Sequence, residues 1–335
     1  MKHSAITYPD VLKIILKRRK ITCRKVYNLL KNIIGIINRK RYLNTLPSYL
    51  QIDPSKTCNI SCPDCVLKSD ELSVETTKFV KQSFFRLIDE IYRHTLIMAL
   101  YLVGEPFLNK DIFEMIKYAH KRRMYLFLSS NFNIKVDEPF ATKIVTSGLD
   151  ALIISVSGFS NEIHTRKHKG GDIEVIKENI KQLQEIKKVR NSRYPKIAIR
   201  YLLAKYNMEE MKYFSNFSLE TGVDFFEVSL MTFSDENDPE SLHEKKANKN
   251  KVCYWPWLML GIHSDGKVQP CCYYFHEPPV LGNVFDQSLK EMWNSKIQQQ
   301  FRGKMIEGGK NSLESCRKCK AFLGYQRKMY RKEIE

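Results

Sequence analysis

Residues Pro54–Lys68 read PSKTCNISCPDCVLK, and this stretch decides how the chain is read. Cys58, Cys62 and Cys65 follow a short strand-like run, Tyr49–Asp53, at the spacing Cys-x3-Cys-x2-Cys. Thiolates are the usual protein ligands of iron–sulfur clusters, and a four-iron cube normally takes four of them. A loop that offers three leaves one iron open, and an open coordination position separates a reactive metal centre from a structural one. The competing reading is a zinc loop, but zinc loops favour Cys-x2-4-Cys pairs with a matching second pair.

At 335 residues the chain holds one large α/β domain and a smaller one. Its 43% hydrophobic content is that of a globular protein with a sizeable core, which excludes a disordered chain. The nine cysteines are odd in number and clustered, and no cleavable signal is apparent, because Lys31 breaks the apolar run Leu29–Ile37. A cytoplasmic chain with such clusters binds metal rather than being stapled by disulfides. Charge is uneven: residues 1–42 hold twelve Lys or Arg against one acid, Asp10, and so carry +11 of the net +18.

Residues 1–45 form a basic amphipathic extension. Val26, Leu29, Leu30, Ile33, Ile34 and Ile37 recur at helical spacing among Arg24, Lys25, Lys31 and Lys40. The stripe is expected to pack on the following domain, leaving the lysines in water. Peripheral membrane contact through residues 1–42 is the other reading, since a basic amphipathic helix can lie on an anionic surface. The run is too short and charged to span a bilayer, and the basic surface lacks a nucleic-acid recognition module. Cys23, on this helix, reads as a small buried hydrophobe.

From residue 46 to 233 the pattern alternates β and α, the mark of a parallel sheet wrapped by helices. Strands are expected near 49–53, 96–103, 124–130, 151–157, 196–203 and 225–230. Helices are expected near 74–92, 109–122, 136–147, 172–190 and 208–221. In parallel α/β barrels the chemistry sits at the C-terminal strand ends. Those ends carry Val103-Gly104-Glu105-Pro106, Ser129-Ser130-Asn131 and Ser155-Val156-Ser157-Gly158, followed by Arg166–Asp172, RKHKGGD. Asn207, opening a later helix, reads as an N-cap. Residues 234–251 are polar and read as a linker. Residues 252–335 hold a second cysteine set: Cys253, then Gly266-x4-Cys271 beside Cys272, then Cys316-x2-Cys319. Gly266 stands in a tight-turn sequence between two strand-like runs.

Cys-x3-Cys-x2-Cys after a first strand resembles the signature of radical S-adenosylmethionine (SAM) enzymes. The position before the third cysteine, commonly aromatic in that family, is Asp64 here. The resemblance implies a partial (β/α)6 TIM-like barrel and a [4Fe–4S] cluster whose open iron binds SAM. It implies reductive cleavage of SAM to a 5′-deoxyadenosyl radical that abstracts hydrogen from substrate, with flavodoxin or ferredoxin as the reducing partner. Val103–Pro106 is similar to the family's Gly-Gly-Glu-Pro, which puts Gly104, Glu105 and Pro106 at the SAM ammonium. Ser130 and Asn131 are similar to the pair that reaches the ribose, and Ser157 stands where relatives often have Asp. Arg166 or His168 matches the arginine that binds the SAM carboxylate, and Arg166 is preferred because it stays cationic at any pH.

The second cysteine set resembles the SPASM/twitch extension of this family. It implies a small C-terminal iron–sulfur domain with one auxiliary [4Fe–4S] cluster held by Cys253, Cys271, Cys316 and Cys319, zinc being the alternative metal. Cys271 is preferred over Cys272 because it satisfies Gly-x4-Cys. The function implied is an oxidative modification of a small polar, sugar or glycan-type substrate. The alternatives are a maturase acting on a ribosomally made peptide, and a non-catalytic metal-binding protein. Glu227, Arg200 and His168 are candidate proton acceptors facing the barrel.

Overall fold

The computed structural model describes residues 8–65, 67, 77–231, 238–242, 252–271, 279–313, 316 and 319. Six parallel strands form the heart of the molecule: β1 (Tyr49–Ile52), β2 (Ile97–Leu100), β3 (Tyr125–Ser130), β4 (Ala151–Val156), β5 (Lys196–Leu203) and β6 (Phe225–Leu230). They pair in sequence order, each with the next, as right-handed β–α–β crossovers dictate. Between them run α3 (Lys81–Ile91), α4 (Ile112–Lys121), α5 (Glu138–Thr146), α7 (Ile173–Val189) and α8 (Phe214–Thr221). Five of the strands match the sequence expectation to within a residue, and β2, expected over 96–103, covers only Ile97–Leu100. A helix not expected, α6 (Asn161–Lys167), begins where the Ser160 side chain accepts from the Ile163 N–H.

Alternation along each strand divides the sheet into two faces. Leu50, Leu100, Leu126, Ile154, Ile199 and Tyr201 turn outward into the main core beneath the helices. The intervening residues, among them Gln51, Phe127, Arg200 and Glu227, face the barrel interior. Asn207, expected as an N-cap, is instead fully buried and ties two strand ends together. Its amide donates to Ser157 O and Leu202 O, 2.8 Å each, and its Oδ1 accepts from the Ala204 N–H.

The C-terminal part does not stand beside the barrel as a detached unit. Its first strand, β7 (Met259–Ile262), lies parallel on the free edge of β1, from Tyr49 opposite Met259 to Ile52 opposite Ile262. The chain turns at Gly266, φ +84°, into antiparallel β8 (Lys267–Gln269), and β9 (Gly282–Asn283) ends a nine-stranded sheet. Gly266 is required here, because that φ is strained for any side chain. Helices α9 (Leu289–Trp293) and α10 (Lys296–Gly308) follow, with Trp257 and Trp293 buried between them and the segment before β1. Most of the expected linker, 234–251, lies outside the described residues. Its 238–242 portion packs on the barrel, where Lys205 donates from N to Glu240 O and from Nζ to Pro239 O, 3.0 and 2.6 Å.

The N-terminal extension forms α1 (Tyr8–Lys17) and α2 (Cys23–Ile37), which close the N-terminal end of the barrel. Arg18 and Lys20 pair with Asp150, which precedes β4, at 2.8 and 3.4 Å. The expectation that α2 buries its apolar stripe is overturned. Lys25, Asn28, Asn32 and Gly35 face the protein, while Val26, Leu30, Ile33, Ile34 and Ile37 are exposed. Cys23 is likewise exposed rather than buried.

Candidate active site

The loop after β1 and the loop after β2 pack backbone to backbone. Glu105 N donates to Thr57 O at 2.8 Å, and Asp53 Oδ1 receives the Val103 and Gly104 N–H groups at 3.4 and 3.5 Å. A Cβ added at Gly104 would collide with Ser55 O and lie 2.7 Å from Thr57 O. Glycine is needed here for space rather than for backbone freedom. Val103 in place of the family's first glycine is accommodated, since the close approach is made by Gly104 alone.

Glu105 is fully buried, and its carboxylate links three elements. Oε1 accepts from Ser130 Oγ (2.8 Å) and Phe107 N (3.2 Å), and Oε2 accepts from Asn131 N (2.9 Å). Burial pushes its pKa up to about 7, against the pull of those three donors. The carboxylate is thus a clamp between the Gly104-Glu105-Pro106 loop and the end of β3. Because the folded pKa lies above the ordinary 4.5, the folded state holds the extra proton. Stability from this group is therefore greatest below about pH 4.5 and is lost as pH rises toward 7. Glu105→Gln, neutral at every pH, is expected to change stability by less than about 1 kcal/mol at pH 5, where Glu105 is itself a neutral carboxyl. It should also make the decline toward pH 8 shallower than in the parent, as thermal melts at the two pH values would show.

Asn131 extends the clamp to the cysteine loop. Its Nδ2 approaches Cys58 Sγ at 3.6 Å and Asn59 Oδ1 at 3.0 Å, and Asn59 Nδ2 donates to Asn133 O at 2.6 Å. The other half of the loop is held by the segment after α6. Ser61 N donates to Lys169 O at 2.8 Å, and Lys167 Nζ pairs with Asp64 Oδ2 at 3.1 Å. Asp64, the departure from the aromatic family position, therefore has a cation opposite it. Lys167 is the contact that sequence reasoning missed. His164 and Lys167 lie on the buried side of α6, which turns the intervening Arg166 outward to stack over the Tyr206 ring at 5.3 Å.

Ser157 departs from expectation. It is fully buried and its hydroxyl is engaged with His164 O (3.0 Å) and His168 Nδ1 (2.8 Å), so it serves the packing of α6 on β4. His168, buried and stacked on His164, is held neutral with its pKa well below the ordinary value. Of the expected contacts, the structure gathers Gly104, Glu105, Pro106, Ser130 and Asn131 with the cysteine loop, while Ser157 is engaged with α6 and Arg166 lies over Tyr206.

The three thiols are close enough to act on one another. Cys62 is pushed up to about 11, first by burial and then by the charges of Cys65 and Cys58, and Cys58 is raised by burial. Among the described residues no three His, Cys, Asp or Glu side chains close around a single ion. Two buried oxygens beside the loop, Asp53 Oδ2 and Thr57 Oγ1, have no hydrogen-bond partner among the described residues. Adjacent thiols, with Cys58 and Cys62 held protonated mainly by burial, beside orphaned polar atoms suit the cationic core of an iron–sulfur cluster carrying a polar ligand.

In the C-terminal part, Cys271 follows β8 within the main core, and Cys253 and Cys316 pack against that core. Cys319 N donates to Cys316 O at 3.4 Å, which puts this pair on one turn. Cys272 lies outside the described residues.

In the barrel interior, Arg200 Nη2 approaches Glu227 Oε2 at 3.4 Å, and the guanidinium lies 5.7 Å from the Tyr101 ring centre. Tyr101 in turn meets Phe127 edge-on. Among the described residues the interior thus presents aromatic rings beside the Arg200–Glu227 pair.

Comparison with known proteins gives two family matches: the Radical SAM superfamily over residues 52–218 and an iron–sulfur cluster-binding domain, SPASM, over 253–320. A tungsten-containing aldehyde ferredoxin oxidoreductase cofactor-modifying protein of Pyrococcus furiosus is 22% identical, over 76% of this chain and 83% of its own. An AdoMet-dependent heme synthase of Methanosarcina barkeri is 21% identical, over 78% of this chain and 86% of its own. Among solved structures, Streptococcus suis SuiB bound to S-adenosylmethionine superposes with a TM-score of 0.63 at 15% identity, covering 80% of this chain and 70% of SuiB.

Proposed function

The chain belongs to the Radical SAM superfamily and carries a SPASM domain, and from that premise we propose that it oxidises a small polar substrate by SAM-dependent hydrogen abstraction. One observation carries the SAM-site reading. The cysteine loop, the Gly104-Glu105-Pro106 loop, the end of β3 and the segment after α6 form one hydrogen-bonded assembly around three thiols. Cys58, Cys62 and Cys65 would hold a [4Fe–4S] cluster with one open iron. When bound and reduced by a flavodoxin- or ferredoxin-like donor, that cluster supplies the electron that splits the SAM sulfonium.

The chain's own residues fix the geometry. Glu105 and Asp53 hold the loop after β2 against the cysteine loop, Asn131 orients Cys58, and Lys167 restrains Asp64. Positioning a reacting atom within reach of one hydrogen is the protein's main task in such chemistry. Tyr101, Arg200 and Glu227 would bind the substrate, the charged pair meeting hydroxyl, amino or anionic groups and the aromatic faces a ring or carbon chain. The two relatives above are named for a cofactor modification and a heme synthesis, and neither name specifies a peptide. A further relative is named as a PqqA peptide cyclase, and a peptide maturase is therefore the alternative.

Cys253, Cys271, Cys316 and Cys319 would hold one auxiliary [4Fe–4S] cluster. Fully ligated, it has no iron free for substrate and would accept the electron left on a substrate radical. Cys316→Ala is expected to lower iron content by about four per chain, with dithionite-driven SAM cleavage retained. Loss of both together would move the auxiliary cysteines into the SAM site, against this reading. Assay of candidate small molecules and peptides for SAM-dependent oxidation separates the two substrate classes.

A further inference from the structure

Helix α2 is amphipathic in the inverse sense. Its polar face is the buried one: Asn28 Nδ2 and Asn32 Nδ2 donate to Leu46 O at 2.8 and 2.9 Å, and Asn32 Nδ2 to Ser48 Oγ at 2.9 Å. Lys25 Nζ donates to Arg123 O at 2.6 Å, and Gly35 lets Leu43 and Trp257 approach closely. These bonds fix the helix's rotation, so the outward direction of its apolar face follows from satisfied contacts. That face presents Val26, Leu30, Ile33, Ile34 and Ile37, with Leu30, Ile34 and Ile37 each half exposed or more. An apolar stripe of this length left in water marks an interaction surface.

Charge says what covers it. Against the N-terminal end of α2 lies a cavity of about 340 Å³. Arg24, Arg93, Lys121, Arg122 and Arg123 line it, and among the described residues no carboxylate does. Arg122 is paired with Asp89, outside the lining, at 2.6 Å. Lys31 and Arg39 add charge along and beyond the helix. An apolar strip bordered by cations is complementary to a layer that presents acyl chains beneath anionic phosphates. A second copy of this chain would bring the same cations face to face.

We propose that α2 docks this protein on an anionic membrane surface, with its apolar face among the acyl chains and the cations around the cavity meeting lipid phosphates. No described helix is long and apolar enough to cross a membrane, so the attachment is peripheral. The partners of α2 lie just before β1, β2 and β3, whereas the thiol site lies beyond the other ends of those strands. Docking therefore leaves the barrel mouth pointing away from the lipid. The membrane serves as a platform, and substrate enters from the aqueous side.

The test is flotation of the full-length, cluster-loaded protein with vesicles of phosphatidylglycerol and phosphatidylcholine in equal parts, or of phosphatidylcholine alone, at low salt. The parent should float with the anionic vesicles only and be released by high salt. Ile33→Asp with Ile34→Asp, and separately Arg24→Glu with Arg93→Glu, should each cut the floated fraction at least tenfold. Unchanged iron content and SAM cleavage in these variants would show that they fold. Three results would overturn the proposal: a parent that stays at the bottom, flotation untouched by both double variants, or a dimer that the Ile33/Ile34 variant dissociates without any vesicle binding.

Discussion

Cys58→Ala should leave the protein folded and unable to cleave SAM, with 5′-deoxyadenosine formation reduced at least ~10³-fold. Cys58 is the thiol that Asn131 reaches, so its removal takes away both a ligand and the contact that aligns the loop. Three thiolates are the minimum that holds a cube with one iron open, and two cannot retain it against exchange. Iron content should fall by about four per chain, while the auxiliary set remains loaded. Asn131→Ala, which spares every thiol, should retain iron and impair cleavage partially, separating alignment from ligation.

Gly104→Ala should have the second largest effect, although it adds one methyl group. The new Cβ would meet Ser55 O, Thr57 O and the Lys56 carbonyl carbon, all backbone atoms, which cannot rotate aside as a side-chain tip could. Relief requires the loop after β2 to move off the cysteine loop, breaking Glu105 N to Thr57 O and loosening the Asp53 contacts. Overpacking of this kind costs about 1–3 kcal/mol, and the displaced loop is the one proposed to bind SAM. Cleavage should drop about 100-fold or more, with a lower melting temperature. Gly170→Ala provides the control: its Cβ would meet nothing within 4 Å among the described residues, and only its φ of +87° disfavours the change. A small loss of stability with cleavage retained is expected there.

The sequence disclosed much of this because its signals were local. Strand positions followed from apolar runs ended by glycine or polar residues, and the thiols from a spacing confined to eight residues. Gly104 and Asn131 were legible because each lies in the loop after a strand. What could not be read depended on rotation and on distant partners. The phase of α6 decides that Lys167 rather than Arg166 meets the cysteine loop, and that phase is set by what α6 buries. Helix α2 is the sharper case: periodicity located its two faces correctly, yet which face turns inward depends on Leu46 and Ser48, beyond the helix. Buried asparagines with backbone partners outcompeted the apolar stripe for the protein side. Asp53 and Ser157 were similarly hidden, since a polar residue at a strand end looks the same whether it faces a ligand or a neighbouring loop.

The central claim is that the loop of Cys58, Cys62 and Cys65 carries a SAM-cleaving centre. Its most direct measurement is 5′-deoxyadenosine after anaerobic reconstitution with iron and sulfide, reduction with dithionite, and addition of SAM. The account predicts 5′-deoxyadenosine and methionine in equal amounts, both absent when Cys58 is replaced by alanine. Fully iron-loaded protein that binds SAM and yields neither product would contradict it.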